Sequence, residues 1–114
     1  MKNVVLQDFT SDVSNPASYD PENPNSFHIE VQFWVGVEGG TGGELFRLYV
    51  CSPDNLATLC QDGSPRSGRG MLITNEYRKK EVRAFIENII RYSQGETWDD
   101  VISALRRYAY LADE

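Results

Sequence analysis

The stretch that decides the fold is SFHIEVQFWVGV, residues 26–37, in which apolar and polar side chains alternate. One face of this stretch is wholly apolar and consists of Phe27, Ile29, Val31, Phe33, Val35 and Val37. The other face carries His28, Glu30, Gln32 and Trp34. Because successive side chains of a strand point to opposite sides, the alternation predicts a long strand with one buried face.

A second alternating segment, residues 45–51, follows a connection that contains Gly39-Gly40-Thr41-Gly42-Gly43. Two strands around a glycine-rich connection predict an antiparallel hairpin with a wide tip. The connection is not a phosphate-binding loop, because such a loop needs Lys and Ser or Thr after its last glycine, and Glu44 and Leu45 follow here. The polar face of the hairpin, which also holds Arg47 and Tyr49, is either solvated or a contact surface.

The remaining segments complete the predicted architecture. Residues 2–9 and 71–74 indicate short strands, residues 53–60 a short helix, and residues 15–25, with Pro16, Pro21 and Pro24, an extended loop. Apolar stripes at helical spacing predict one helix over residues 78–93 and another that follows an N-cap at Thr97. We therefore expect an α+β fold, a small antiparallel sheet of about four strands with two C-terminal helices on one face, in a single domain over residues 1–114.

The charge of the chain is unevenly distributed. Of 114 residues, 17 are acidic and 11 basic, and the formal net charge is −6. Residues 1–46 hold seven acids and one base, so this segment carries the whole net charge. An acidic surface repels phosphate backbones, which argues against nucleic-acid binding; it suits a basic partner or simply keeps the protein soluble.

No apolar run approaches the roughly 20 residues of a membrane-spanning helix. Residues 1–8 do not resemble a signal peptide. We therefore expect a cytoplasmic protein that does not act at a membrane.

Residues that carry chemistry are few. Cys51 and Cys60 have the spacing of neither a CxxC redox pair nor a zinc knuckle, and His28 is the only histidine. We accordingly expect no metal, no cofactor and no catalytic residue. An enzyme centred on His28, such as a small hydrolase, is the alternative, although the chain has no strained nucleophile turn of the GxSxG type.

Several motifs stand in a characteristic order along nearly the whole chain. They are Tyr19-Asp20-Pro21-Glu22-Asn23-Pro24 leading to Phe27, a strand ending at Gly36, Phe46-Arg47-Leu48-Tyr49-Val50-Cys51-Ser52-Pro53, Gly70-Met71-Leu72-Ile73, and Gly95-Glu96-Thr97-Trp98 with Leu105 and Arg106 beyond. Together they resemble the immunity protein 8 family of bacterial polymorphic toxin systems. One departure is Asn55, which stands before Leu56 where the family pattern leads us to expect an aromatic residue.

The resemblance implies a non-enzymatic inhibitor that binds a cognate toxin domain, by expectation a nuclease, in contact-dependent growth inhibition. An acidic inhibitor can occupy the basic substrate groove of a nuclease as a phosphate mimic. On that basis we predict a toxin-binding surface made of the acids and two aromatic anchors, namely Asp20, Glu22, Glu30, Glu38, Glu44, Trp34 and Tyr49. We expect a monomer or weak homodimer. A small homodimeric or regulatory domain that pairs through a sheet edge is a further alternative.

Overall fold

The computed structural model describes residues 3–15, 18–20 and 22–114. Lys2, Pro16 and Pro21, which the sequence prediction used, lie outside the described residues. The elements in chain order are β1 (Val4–Ser11), β2 (His28–Val37), β3 (Glu44–Cys51), α1 (Pro53–Leu59), β4 (Met71–Ile73), α2 (Lys79–Tyr92), α3 (Trp98–Leu105) and β5 (Tyr110–Leu111). The predicted α+β class is confirmed, with the two longest helices in the C-terminal half.

The strands form one sheet in the order β1-β2-β3-β4, and β5 also pairs with β3. The first three strands are antiparallel, with Phe33 opposite Phe46 and Glu30 opposite Tyr49. β4 runs parallel to β3, so the sheet is mixed rather than wholly antiparallel as predicted. The physical reason is the crossover formed by α1 and the following loop, because a parallel pair needs a connection longer than a hairpin turn.

The core lies between the apolar face of the sheet and the helices. The β2 side chains of Ile29, Val31, Phe33 and Val35 are completely buried, and the rings of Phe33 and Phe46 stack with their centroids 5.6 Å apart. α2 and α3 close this face with the apolar residues Val82, Ile86, Ile89, Ile90, Val101 and Leu105. α2 and α3 thus cover one side of the sheet, and the other side, which we call the outer face, stays largely open.

The glycine-rich connection between β2 and β3 is tied to the first strand. The pairing of β1 with β2 shifts register between Leu6 and Asp8, and Gln7 is the extra residue of this bulge. The side-chain amide of Gln7 donates a hydrogen bond from Nε2 to the carbonyl oxygen of Gly42 at 2.9 Å. A Cβ on Gly36 would lie 2.6 Å from that same oxygen, so glycine is required at this position of β2, where the connection packs against the strand.

Candidate functional site

Three of the seven predicted binding residues share the outer face. Glu30 and Trp34 project from β2, and Tyr49 projects from β3 directly opposite Glu30. Trp34 is 43% exposed, which is unusual for so large an apolar side chain. Trp34 lies four positions after Glu30 along the strand, a distance of about 13 Å.

The other four predicted acids lie away from the middle of this face. The carboxylate of Asp20 accepts the backbone N–H of Glu22 at 2.9 Å, in the loop that precedes β2. Glu38 follows the opposite end of β2, and Glu44 begins β3. The ten residues of β2 separate these two pairs by about 30 Å. The structure therefore divides the predicted acids between the two ends of the sheet.

Glu44 differs from the other acids in the side of the sheet on which it projects. It lies opposite Val35, whose side chain is buried in the core. Opposed residues of an antiparallel pair project to the same side. Glu44 therefore points towards the helical layer at the tip of the hairpin, rather than onto the outer face.

An acidic hollow of 320 Å³ opens on the outer face near the start of β2. We use this name for the cavity lined by Thr10, Asp12, Asn15, Ser18, His28, Glu30 and Gln32. The Ser18 hydroxyl donates to the carbonyl oxygen of Asp12 at 3.0 Å. Within the described ranges, no hydrogen bond joins the His28 ring to a hydroxyl or a carboxylate. The described residues of the hollow therefore show no hydrogen-bonded nucleophile–base pair at His28.

Two contacts hold the side chain of Tyr49, one of the two predicted aromatic anchors, in place. Its ring stacks on that of His28, with centroids 5.3 Å apart and planes 9° from parallel. Its hydroxyl donates to Oδ1 of the buried Asn55 at 2.9 Å. Asn55 is the residue at which the chain departs from the family pattern, and its contact with Tyr49 gives this departure a structural role.

Burial raises the pKa values of both Tyr49 and the nearby Cys51, so both groups are neutral at physiological pH. Desolvation raises the pKa of Tyr49, and the neighbouring Cys51 raises it further, against the opposing effects of Arg66 and of the Asn55 hydrogen bond. Burial alone raises the pKa of the Cys51 thiol. The floor of the outer face at this point is therefore aromatic and uncharged.

A second cavity, of 350 Å³, lies beside the first and has the opposite charge. We call it the basic hollow, because Arg47, Arg66 and Arg69 line it around the ring of Tyr110. The guanidinium carbons of Arg47 and Arg69 lie 4.9 and 4.1 Å from the centroid of that ring. Glu30 lines both cavities and so marks their common border.

Sequence reasoning did not assign a role to Arg66, Arg69 or Tyr110. The two arginines lie in a loop rich in Gly, Ser and Pro, and Tyr110 belongs to a strand of two residues. The only available signal was the pair of arginines in a loop otherwise made of small residues. Nothing in the local pattern shows that this loop meets Tyr110 and Arg47.

The described residues include no group of three or more His, Cys, Asp or Glu side chains arranged to bind a metal ion. Among the helices of the described part of the chain, none has the length and apolar character needed to cross a membrane. The outer face itself is a mixed aromatic and charged surface with two adjoining cavities.

Comparison with known families matches residues 4–111 to the family model described as immunity protein 8. No curated protein and no solved structure matches the chain. The match covers every secondary-structure element from β1 to β5.

Proposed function

The chain belongs to the immunity protein 8 family, and from this premise we propose that it binds its cognate toxin domain stoichiometrically through the outer face and thereby neutralises it. The observation that carries the proposal is the open side of the sheet, which bears an exposed tryptophan and two adjoining cavities of opposite charge. Stable interfaces combine aromatic anchors with a polar rim. The encounter takes place in the cytoplasm, and the toxin is a nuclease with a basic substrate groove.

The positions of the predicted acids are compatible with one interface of ordinary size. A patch of about 800 Å² per partner, which is typical of stable complexes, is roughly 30 Å across. Asp20 and Glu22 at one end of the sheet, and Glu38 at the other, would then lie at opposite margins of the contact, with Glu30 at its centre. Glu44, at the same end as Glu38 but directed towards the helical layer, would add its charge to that margin without touching the toxin. Charges at a rim act mainly on the rate of association, which benefits an inhibitor that must capture an incoming toxin.

Inhibition by binding requires no catalytic group, and the proposal assigns none. The hydrolase alternative depends on His28, whose ring stacks on Tyr49. The alternative of a homodimer depends on a free strand edge. The outer edge of β3 is covered by β4 and β5, so the long edge open to such pairing is that of β1.

The first experiment tests whether the outer face is the surface that binds the toxin. The partner is the toxin-like domain encoded next to this chain, and isothermal titration calorimetry gives its affinity and stoichiometry. We expect one-to-one binding by the wild type and an affinity loss of at least about tenfold for Trp34→Ala. The matched control is Tyr92→Ala, which removes a 75% exposed aromatic side chain from α2. Wild-type affinity in Trp34→Ala, together with weakened binding in Tyr92→Ala, would place the interface on the helical side and contradict the proposal.

A second experiment tests the acidic margins. The combined charge reversal changes Asp20, Glu22, Glu38 and Glu44 to Lys, and we expect slower association and a weaker dependence of the association rate on salt. The control reverses four exposed acids near or on α2 and α3, namely Glu76, Glu81, Glu87 and Glu96. Both variants have the same net charge, so equal effects would show that only total charge matters and that the margins have no special role.

A further inference from the structure

The basic hollow is an unexpected feature in a chain whose net charge is −6. Its three arginines come from distant parts of the sequence, since Arg47 lies on β3 while Arg66 and Arg69 lie in the loop that precedes β4. Like charges brought into one 350 Å³ cavity repel one another. Gathering these arginines is therefore unfavourable unless a negative group compensates their charge.

Two of the three guanidinium groups retain free hydrogen-bond donors. Arg47 donates from Nη2 to the backbone oxygen of Glu114 at 3.0 Å, and Arg66 donates from Nε to the backbone oxygen of Leu59 at 3.2 Å. In the described part of the chain, neither arginine forms an ion pair with a side-chain carboxylate. Because a guanidinium has five N–H donors, most of those on Arg47 and Arg66 remain available.

The third arginine is already neutralised. The carboxylate of Glu114 lies 3.0 Å from Nη2 of Arg69 and also pairs with Arg106. Arg69 also donates to the backbone oxygen of Arg106 and lies against the ring of Tyr110. Arg69 therefore acts as part of the wall, and the open charge of the hollow belongs to Arg47 and Arg66.

The wall of the hollow is preorganised. The guanidinium groups of Arg47 and Arg69 both lie over the Tyr110 ring, and cation–π attraction to this ring orients both side chains. Arg47 and Tyr110 also face each other across the β3–β5 pair. A group that enters the hollow consequently meets donors whose positions are already restricted, which reduces the entropic cost of binding.

We infer, on the basis of the function proposed above, that the basic hollow receives one carboxylate side chain of the toxin, which Arg47 and Arg66 hold. A guanidinium matches a carboxylate in planar, two-pronged hydrogen bonds, and such charge-assisted bonds are stronger than neutral ones. The toxin surface that meets this immunity protein is thus not uniformly basic. It presents an acid to the hollow within its basic surroundings.

A nucleic-acid ligand fits the same hollow less well. Glu30 lines the cavity and Glu114 pairs with its wall, so two carboxylates lie close to the three arginines. A single carboxylate compensates the remaining positive charge, whereas the successive phosphates of a polynucleotide would meet these acids and the negative field of the whole chain.

The test uses a substitution that should change the affinity for the toxin in opposite directions, depending on whether the toxin surface is uniformly basic or places a carboxylate in the hollow. Arg66→Gln makes the protein more acidic, so attraction to a uniformly basic toxin would strengthen binding. If the hollow holds a toxin carboxylate, the same change weakens binding by about tenfold, and Arg66→Glu weakens it further. The control Arg91→Gln removes an exposed arginine from α2 with the same change in net charge; its affinity should stay at or slightly above that of the wild type. Titration calorimetry against the toxin domain measures all four proteins.

The outcomes separate this inference from the proposed function. If Trp34→Ala weakens binding while Arg66→Gln binds as tightly as the wild type or more tightly, the toxin contacts the outer face but the inference about the hollow is wrong. If the wild type does not bind the toxin domain, both proposals are overturned. A toxin variant in which the facing acid is changed to Lys should restore affinity for Arg66→Glu, and this charge exchange would support the inference directly.

Nucleic acid is tested in parallel. A short single-stranded RNA serves as the probe. We expect the wild type and the Arg66→Gln variant to show no difference in binding this RNA. Binding that depends on Arg66 would instead identify the hollow as a nucleic-acid site and overturn the inference.

Discussion

The ring of Tyr110 occupies the space that any side chain at Gly70 would need. A Cβ on Gly70 would lie 2.2 Å from Cε2 and 2.4 Å from Cδ2 of Tyr110. Gly70 also has a φ of +79°, in the left-handed region that favours glycine. The loop before β4 and the short strand β5 are therefore fitted to each other at this point, beside the basic hollow.

Replacing Gly70 should accordingly cost more stability than its backbone conformation alone explains. We expect Gly70→Ala to lower the free energy of unfolding by about 2–4 kcal/mol, because the left-handed backbone is strained and the Tyr110 ring must move. The control is Gly63→Ala, since Gly63 has a similar φ of +81° but no atom within 4 Å of its Cβ position. That control should lose only about 1–2 kcal/mol. Equal losses in urea unfolding would contradict the steric role assigned to Tyr110.

A side chain closes the free edge of the first strand. The amide of Gln94 accepts the backbone N–H of Val4 at 2.9 Å and donates from Nε2 to the Val4 carbonyl at 2.8 Å. We expect Gln94→Ala to lower the free energy of unfolding by about 1–3 kcal/mol, because two partly buried backbone groups lose their partner. Gln61→Ala, in an exposed loop, should change it by less than about 0.5 kcal/mol. Hydrogen exchange at the Val4 amide should accelerate in Gln94→Ala alone.

Two helix caps differ in how much of the structure depends on them. The buried Ser52 hydroxyl accepts the backbone N–H groups of Asn55 at 3.3 Å and of Phe27 at 3.0 Å. The Thr97 hydroxyl accepts only that of Asp100, at 3.1 Å, in an exposed position. We expect Ser52→Ala to cost about 2–3 kcal/mol and Thr97→Ala about 1 kcal/mol. A larger loss in Thr97→Ala, measured by thermal or urea unfolding, would argue against the linking role of Ser52.

Stability should decline at alkaline pH. Burial raises the pKa of Tyr49 above its ordinary value of 10.0 and that of Cys51 above 9.0. The folded chain therefore retains protons that the unfolded chain has already released, so the free energy of unfolding falls as pH rises through this range. Urea unfolding from neutral to strongly alkaline pH should show this decline, and Tyr49→Phe with Cys51→Ala should reduce its slope. An unchanged slope in the double variant would show that other groups cause it.

The long elements could be predicted from sequence because their residues repeat a regular pattern. Alternation over residues 26–37 predicted the strand that the structure places at His28–Val37. The helix predicted over residues 78–93 is confirmed at Lys79–Tyr92, where Val82, Ile86 and Ile89 face the core. In both cases the period of the apolar side chains matches the period of the backbone, so local information suffices.

The short strand predicted over residues 71–74 is present as β4 (Met71–Ile73), but its parallel pairing, the strand β5 and the basic hollow could not be predicted in the same way. β4 has three residues and β5 has two, too few to show any period, and their partners are chosen by the packing of the whole chain. The direction of β4 depends on the path of the chain through α1. The hollow combines side chains that lie far apart in sequence, and no spacing rule connects Arg47 with Tyr110. Alternation placed Glu30 on the polar face of its strand, but for the other four acids sequence reasoning used charge alone, which carries no information about the side of a strand on which each one projects.

The pairing of β3 with β5 has a consequence for how the protein is made. Residues 46 and 47 face residues 111 and 110, so more than half of the chain lies between the two partners. A ribosome releases the chain from its N-terminus, and the hairpin of β2 and β3 can pair long before the last strand exists. The basic hollow is completed only after Tyr110 has been translated and has emerged. Recognition through the hollow, as inferred above, would therefore require a chain whose synthesis has passed that residue.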